Sequence, residues 1–332
     1  MLTINPSYSA MSAKLKGMYA KQMSQEEKED IISQNSLQEV TFILKQKYPM
    51  LGNIEKAKRR ELEEKIDSIL ILDIEKIRKI IPESDKIILN LYIEKYMLKG
   101  IKIVFRDLIG SIQLENSGQV VEKFESLFPT LKGISKIKDI EELINLIDKT
   151  EYGYVLEKYF EKGNLNENIF FIEMEWDKIY FQRLEQISKK NKALKELFGR
   201  QRDVLDILWI YRMANFYGFS QEEIKQWILP RYLLTEKQID TLIQVQNEEE
   251  IKEILQDTKY KDILTKEKEM ESSISNYLYR LYKKYFYTQS YNITSVIAYL
   301  GMRELEIRDF ITILEGIRYQ IGKAEIQKKT IT

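Results

Sequence analysis

The chain has 332 residues, 44% hydrophobic and 31% charged, a soluble-globular composition that excludes disordered, collagen-like and disulfide-stapled readings. Lysine plus arginine and aspartate plus glutamate number 52 each, so no global field draws the chain to nucleic acid or anionic lipid, and an electrostatic partner must meet a local patch. Cysteine and histidine are both absent, which removes imidazole and thiolate chemistry and Cys/His zinc sites; the composition points away from an enzyme, and no cofactor or metal is expected.

From the N-terminus, Met1 to Gly17 lacks a basic segment followed by an apolar core, so no secretory signal is expected and the chain reads as cytoplasmic. Capping boxes then mark helix starts at Ser24 with Glu27 and at Ser36 with Glu39. Ile66, Ile69, Leu70, Ile74 and Ile77 recur at helical spacing. Ile69 to Leu72 and Ile87 to Ile93 are the most apolar runs, far short of the roughly 20 residues of a membrane span. Pro82, Pro129 and Pro230 are natural breaks, and Asn116 to Gly118 and Gly163 to Asn168 read as loops. Val204, Ile207, Leu208 and Tyr211 form another apolar face, and Ser220 with Glu223 and Thr235 with Gln238 are further capping boxes. No segment alternates with the period of a strand; an all-α fold is expected. Asn292-Ile293-Thr294 fits a glycosylation sequon, a chance match without secretion.

Two short patterns recur in register. Ile43-x-x-Gln46-x-Tyr48, Ile147-x-x-Thr150-x-Tyr152 and Leu255-x-x-Thr258-x-Tyr260 place tyrosines 104 and 108 residues apart. A second pattern follows each, at Ile101, Ile207 and Ile307, with mostly apolar residues behind it. The reading is internal triplication: three similar helical lobes at residues 1–115, 116–219 and 220–332, arranged around an axis.

The opening Tyr8-Ser9-Ala10-Met11-Ser12-Ala13-Lys14-Leu15-Lys16-Gly17-Met18 and the closing run from Ser295 through Tyr299, Arg303-Glu304-Leu305-Glu306-Ile307-Arg308-Asp309-Phe310 to Glu315-Gly316-Ile317-Arg318 resemble the C subunit of the V-type and A-type rotary ATPases, the equivalent of the eukaryotic d subunit. Asp203-Val204-Leu205-Asp206-Ile207 is similar to that family's repeated core motif. Departures stand at Met97 and Gly100, where the family tends to Asp and Asn, at Asp206 and Asp309 for Asn, and at Arg303 for Lys. The resemblance implies a funnel-shaped, pseudo-threefold, non-catalytic rotor subunit. It would be a socket between the membrane rotor ring and the central shaft, transmitting torque between ATP turnover and proton or sodium transport, and peripheral at the membrane through protein contacts. A helical adaptor unrelated to ATPases would share the composition and the repeats.

Other motifs read plainly. Gly316 to Lys323 has five residues between its glycines and Ala324 where a phosphate loop needs Ser or Thr, so a helix end at Gly322 is expected instead. Ser220 to Gln244 imitates a helix-turn-helix but carries little basic charge on its second helix, and no nucleic-acid partner is expected. Tyr277 to Tyr291 interleaves tyrosines with Arg280, Lys283 and Lys284; packing with snorkelling phenols is the favoured reading over base stacking. Glu304 and Glu306, two apart on a helix, face different directions and make a poor acid/base pair. Arg106 and Arg212 occupy equivalent slots five residues beyond Ile101 and Ile207, and the third lobe carries Arg303 and Arg308 earlier. They are either anchors paired to a neighbouring carboxylate or forks that grip a partner.

Overall fold

A computed structural model describes residues 6–52, 54, 57, 59–110, 122, 125, 127–163, 165–264 and 269–331, and among these the chain is all-α, with no strand. The predicted loop at Asn116 to Gly118 lies outside the described residues. The helices are α1 (Pro6–Tyr19), α2 (Gln25–Ser33), α3 (Leu37–Lys47), α4 (Arg59–Arg78), α5 (Glu83–Leu108), α6 (Ile140–Ile147), α7 (Glu151–Lys162) and α8 (Leu165–Ser188). They continue with α9 (Lys192–Asn215), α10 (Gln221–Trp227), α11 (Glu236–Leu242), α12 (Glu248–Leu255), α13 (Met270–Thr288), α14 (Ile293–Arg318) and α15 (Lys323–Lys329).

Local sequence sets these boundaries. All four predicted capping boxes form: Ser24, Ser36 and Thr235 accept from the backbone three residues on while Glu27, Glu39 and Gln238 reach back. Ser220 and Glu223 exchange the same two bonds. Asn292 of the sequon caps α14 by accepting from the Thr294 N–H. Pro82 immediately precedes α5, Pro129 opens a short 3-10 turn, and Pro230 falls between α10 and α11.

Two expected breaks move. The Gly163 to Asn168 loop shrinks, because Gly163 at φ 74° ends α7 and helix resumes at Leu165; Glu167 favours the positive end of α8 rather than a loop. The helix end expected at Gly322 comes earlier. α14 stops at Arg318, Gln320 takes the left-handed turn at φ 56°, and Gly322 leads into α15.

The chain divides into two compact units, residues 1–86 with 191–224 and 231–332, and residues 87–190 with 225–230. In the first, α14 is buried around its whole circumference from Ile293 to Arg303, and α13 and α4 pack along it. The predicted face of α4, Ile66, Ile69, Leu70, Ile74 and Ile77, is buried in full. Close approach has a local cause: a Cβ on Gly301 would lie 2.6 Å from the buried ring of Tyr282. In the second unit α5, from Ile87 on, joins α7 and α8. Trp176 is fully buried there, donates to the Tyr152 carbonyl at 2.8 Å and meets Phe105 edge-on.

Helical glycines should therefore respond in opposite directions. Gly17→Ala, with open space around it, should gain up to about 1 kcal/mol of stability. Gly301→Ala should lose roughly 1–3 kcal/mol, because the Tyr282 ring has nowhere to go. Urea unfolding of the two variants measures both signs.

Candidate functional site

The three repeated tyrosines are all buried, and each ends on a polar side chain of a long helix. Tyr260 donates to Asp203 of α9 at 2.6 Å. Asp203 also accepts from the N–H groups of Tyr232, Leu233 and Leu234, fastening the segment before α11 to α9. Tyr152 donates to Glu94 of α5, which Arg183 of α8 also engages. Tyr48 donates to Glu306 of α14 at 3.2 Å and accepts from Arg303 at 2.9 Å. The carboxylates and guanidinium that receive the tyrosines stand seven, four or one residues before Ile101, Ile207 and Ile307, on one face of each helix. Burial pushes all three phenols well above their ordinary range, so they remain neutral donors.

The station on α14 is the most elaborate. Arg303 is 3% exposed. Its Nε donates to Asp73 of α4 at 2.9 Å, and its Nη1 pairs with Glu306. Tyr299, one turn earlier, donates to the same Asp73 carboxylate. Around this core the backbone N–H of Met23 donates to Glu306 at 2.6 Å, Lys28 of α2 pairs with Asp309 at 2.7 Å, and Asp309 accepts from the Ile331 N–H at 3.1 Å. Burial raises the Asp309 carboxyl, and the Lys28 ammonium beside it draws it back. Residues 23–73 are thus tied to residues 299–331 by buried charge.

The other candidate arginines lie elsewhere. Arg106 forms a fork on Glu173 of α8, with Nε to Oε1 at 2.6 Å, and Arg212 pairs with Glu271 of α13. Both are half-buried anchors between long helices, the first of the two readings that the sequence left open. Arg308 is exposed and forms no ion pair among the described residues. Arg303 is internal, so its guanidinium offers no surface to a partner.

A comparison with protein families matches residues 11–329 to the ATP synthase (C/AC39) subunit family. The chain belongs to that family. Among its relatives are the C subunit of the A-type ATP synthase of Methanocaldococcus jannaschii, 22% identical with 98% of this chain and 86% of the relative covered, and that of Pyrococcus horikoshii, 22% identical with 91% and 84% covered. The corresponding C subunit of Desulfurococcus is 24% identical with 97% and 90% covered.

In this C/AC39 protein the motif departures have a structural address. Met97 and Gly100 occupy the positions that Asp203 and Asp206 hold on α9 and Arg303 and Glu306 hold on α14. With no polar group there, Tyr152 bonds one turn earlier, to Glu94. The partners Asp73, Lys28, Glu94, Glu173 and Glu271 escaped the sequence reading. Asp73 alone left a signal, standing four residues from both Ile69 and Ile77 on an otherwise apolar face.

Removing one partner from a buried ion cluster strands the others. Arg303→Met should cost about 3–5 kcal/mol in urea unfolding, and Arg303→Lys less, since an ammonium restores the charge without the fork. A melt unchanged by Arg303→Met would show that the cluster does not hold the chain ends.

Proposed function

We propose that this chain is the non-catalytic coupling subunit of an A-type rotary ATPase. It is a three-lobed socket, with lobes at 1–115, 116–219 and 220–332 around an axis, that joins the membrane rotor ring to the central shaft and transmits torque between ATP turnover and ion transport. The observation that carries this reading is the family match across residues 11–329, joined by relatives named as the C subunit of A-type ATP synthases that align along nearly the whole chain. The three tyrosine stations support the lobed arrangement: each repeat supplies one long helix and one buried tyrosine. The lobe boundaries differ from those of the compact units because each motif helix closes one repeat in sequence while receiving a tyrosine from another segment. Close-packed helices tied by buried charge supply the stiffness that torque requires. No described helix is long and apolar enough to cross a membrane, which suits attachment through protein.

Two kinds of surface suit the partners. Phe216 and Tyr217 beyond α9, and Tyr319 and Ile321 beyond α14, are exposed apolar side chains at the ends of motif helices and suit docking on an apolar ring surface. Among the arginines, Arg308 offers a shaft surface of acidic character an exposed guanidinium that forms no ion pair among the described residues and feels Asp309 and Glu271 only at longer range. Arg106 and Arg212 offer only the exposed edges of paired ones, and Arg303 acts by holding α14 in place.

The test is copurification from native membranes with this chain as bait. Ring and shaft subunits should be captured together. Phe216→Ser with Tyr217→Ser should release the ring, and Arg308→Glu should weaken the shaft contact about ten-fold, with unchanged melting of the isolated chain. In the assembled complex ATP hydrolysis should persist while ion pumping falls. Capture of neither ring nor shaft would overturn the reading.

A further inference from the structure

A cleft of about 650 Å³ opens between α13, α9 and the turn that follows Tyr260. Tyr277, Arg280, Leu281 and Lys284 recur at three- and four-residue spacing and line it with one face of α13; Arg200 enters from α9, and Lys261, Asp262 and Leu264 from the turn. The fold thus splits the tract of interleaved tyrosines and cations. Three of its rings turn inward, Tyr277, Tyr282 and Tyr285, with the Tyr277 hydroxyl engaged by Arg200 at 3.1 Å, while Tyr287 and Tyr291, away from the cleft lining, are exposed. Arg280 and Lys284 remain exposed.

Charge in the cleft is unbalanced in a chain that is otherwise neutral. Arg200 is matched, because it pairs with Glu196 at 3.0 Å, a carboxylate that also attracts Lys284. Lys261, Arg280 and Lys284 form no ion pair among the described residues, and Arg280 is steadied by a backbone carbonyl, that of Asp262, at 3.1 Å. Among the described residues, then, three cations without an ion pair share the lining with one carboxylate, Asp262, around a concavity of the size that holds small ligands.

We propose that this cleft binds a small polyphosphate anion. Three cations converging on one volume favour a ligand with several charges on adjacent phosphoryl groups, since a single orthophosphate would engage only part of the set while still facing Asp262. Arg280, with its Nη2 steadied by the Asp262 carbonyl, keeps its other N–H groups for phosphate oxygens. The ring that lines the cleft, Tyr277, is buried with its hydroxyl engaged by Arg200, which argues against base stacking by single-stranded nucleic acid, and the concave shape argues against a flat macromolecular face. The site goes beyond the coupling role and does not depend on it.

Titration calorimetry of the purified full chain with tripolyphosphate at low ionic strength tests it. Tripolyphosphate should bind at least about ten-fold tighter than orthophosphate and weaken with added salt. Arg280→Gln with Lys284→Gln should lose that preference with an unchanged circular dichroism melt, and Lys261→Gln, a change at one exposed turn residue, should weaken binding by a smaller factor. Equal affinity for tripolyphosphate and orthophosphate would overturn the proposal, as would undiminished binding by the double variant. Displacement of tripolyphosphate by a tighter-binding poly-glutamate peptide would reassign the cleft to an acidic partner segment.

Discussion

The guanidinium of Arg303 cannot be buried alone. Taking a charge out of water is costly enough that it persists in a core only with well-placed counter-charges, and here they come from opposite ends of the chain. Glu306 lies one turn away on α14, but Asp73 must be delivered by α4, and Tyr48 by the segment after α3. Satisfying one side chain therefore dictates that the first quarter of the sequence packs on the last long helix. The Lys28–Asp309 pair and the Met23 bond to Glu306 reinforce the same closure. A chain closed in this way resists shear between its ends.

The two other tyrosine stations solve the same packing problem with different chemistry. A phenol driven into a core needs an acceptor for its hydroxyl, and the helix that receives it supplies one on a constant face: Glu94 on α5, Asp203 on α9, Glu306 on α14. The acceptor's position along that face is free to drift, provided the reach of the tyrosine is met. This freedom explains how Met97 and Gly100 could stand in place of polar residues without removing the station, since Glu94 with Arg183 takes over the hydroxyl.

Exposure sorts the surface charges by role. Arg106 and Arg212 join neighbouring long helices through Glu173 and Glu271, whereas Arg308 and three cations of the α13 cleft, Lys261, Arg280 and Lys284, form no ion pair among the described residues. A neutral overall charge therefore hides local imbalance where cations that form no ion pair among the described residues share one concavity.

Local sequence alone determined the helical class and most helix boundaries, because caps and prolines act within one turn: the boxes at Ser24, Ser36, Ser220 and Thr235 and the apolar face of α4 all form as their spacing requires. The repeated tyrosines and isoleucines also marked the elements that matter, and the family signature at both ends pointed to the family that the whole chain matches. Tertiary structure alone decided which polar residues serve them. Lys28, Glu173 and Glu271 carry no local signature of their partners, since a surface charge and a buried counter-ion have the same composition and differ only in what the fold brings within about 3 Å. For the same reason Arg303 and Arg308, five residues apart on one helix, could not be told apart by type or spacing. The packing of α4 and α2 against α14 buries the first and leaves the second in water.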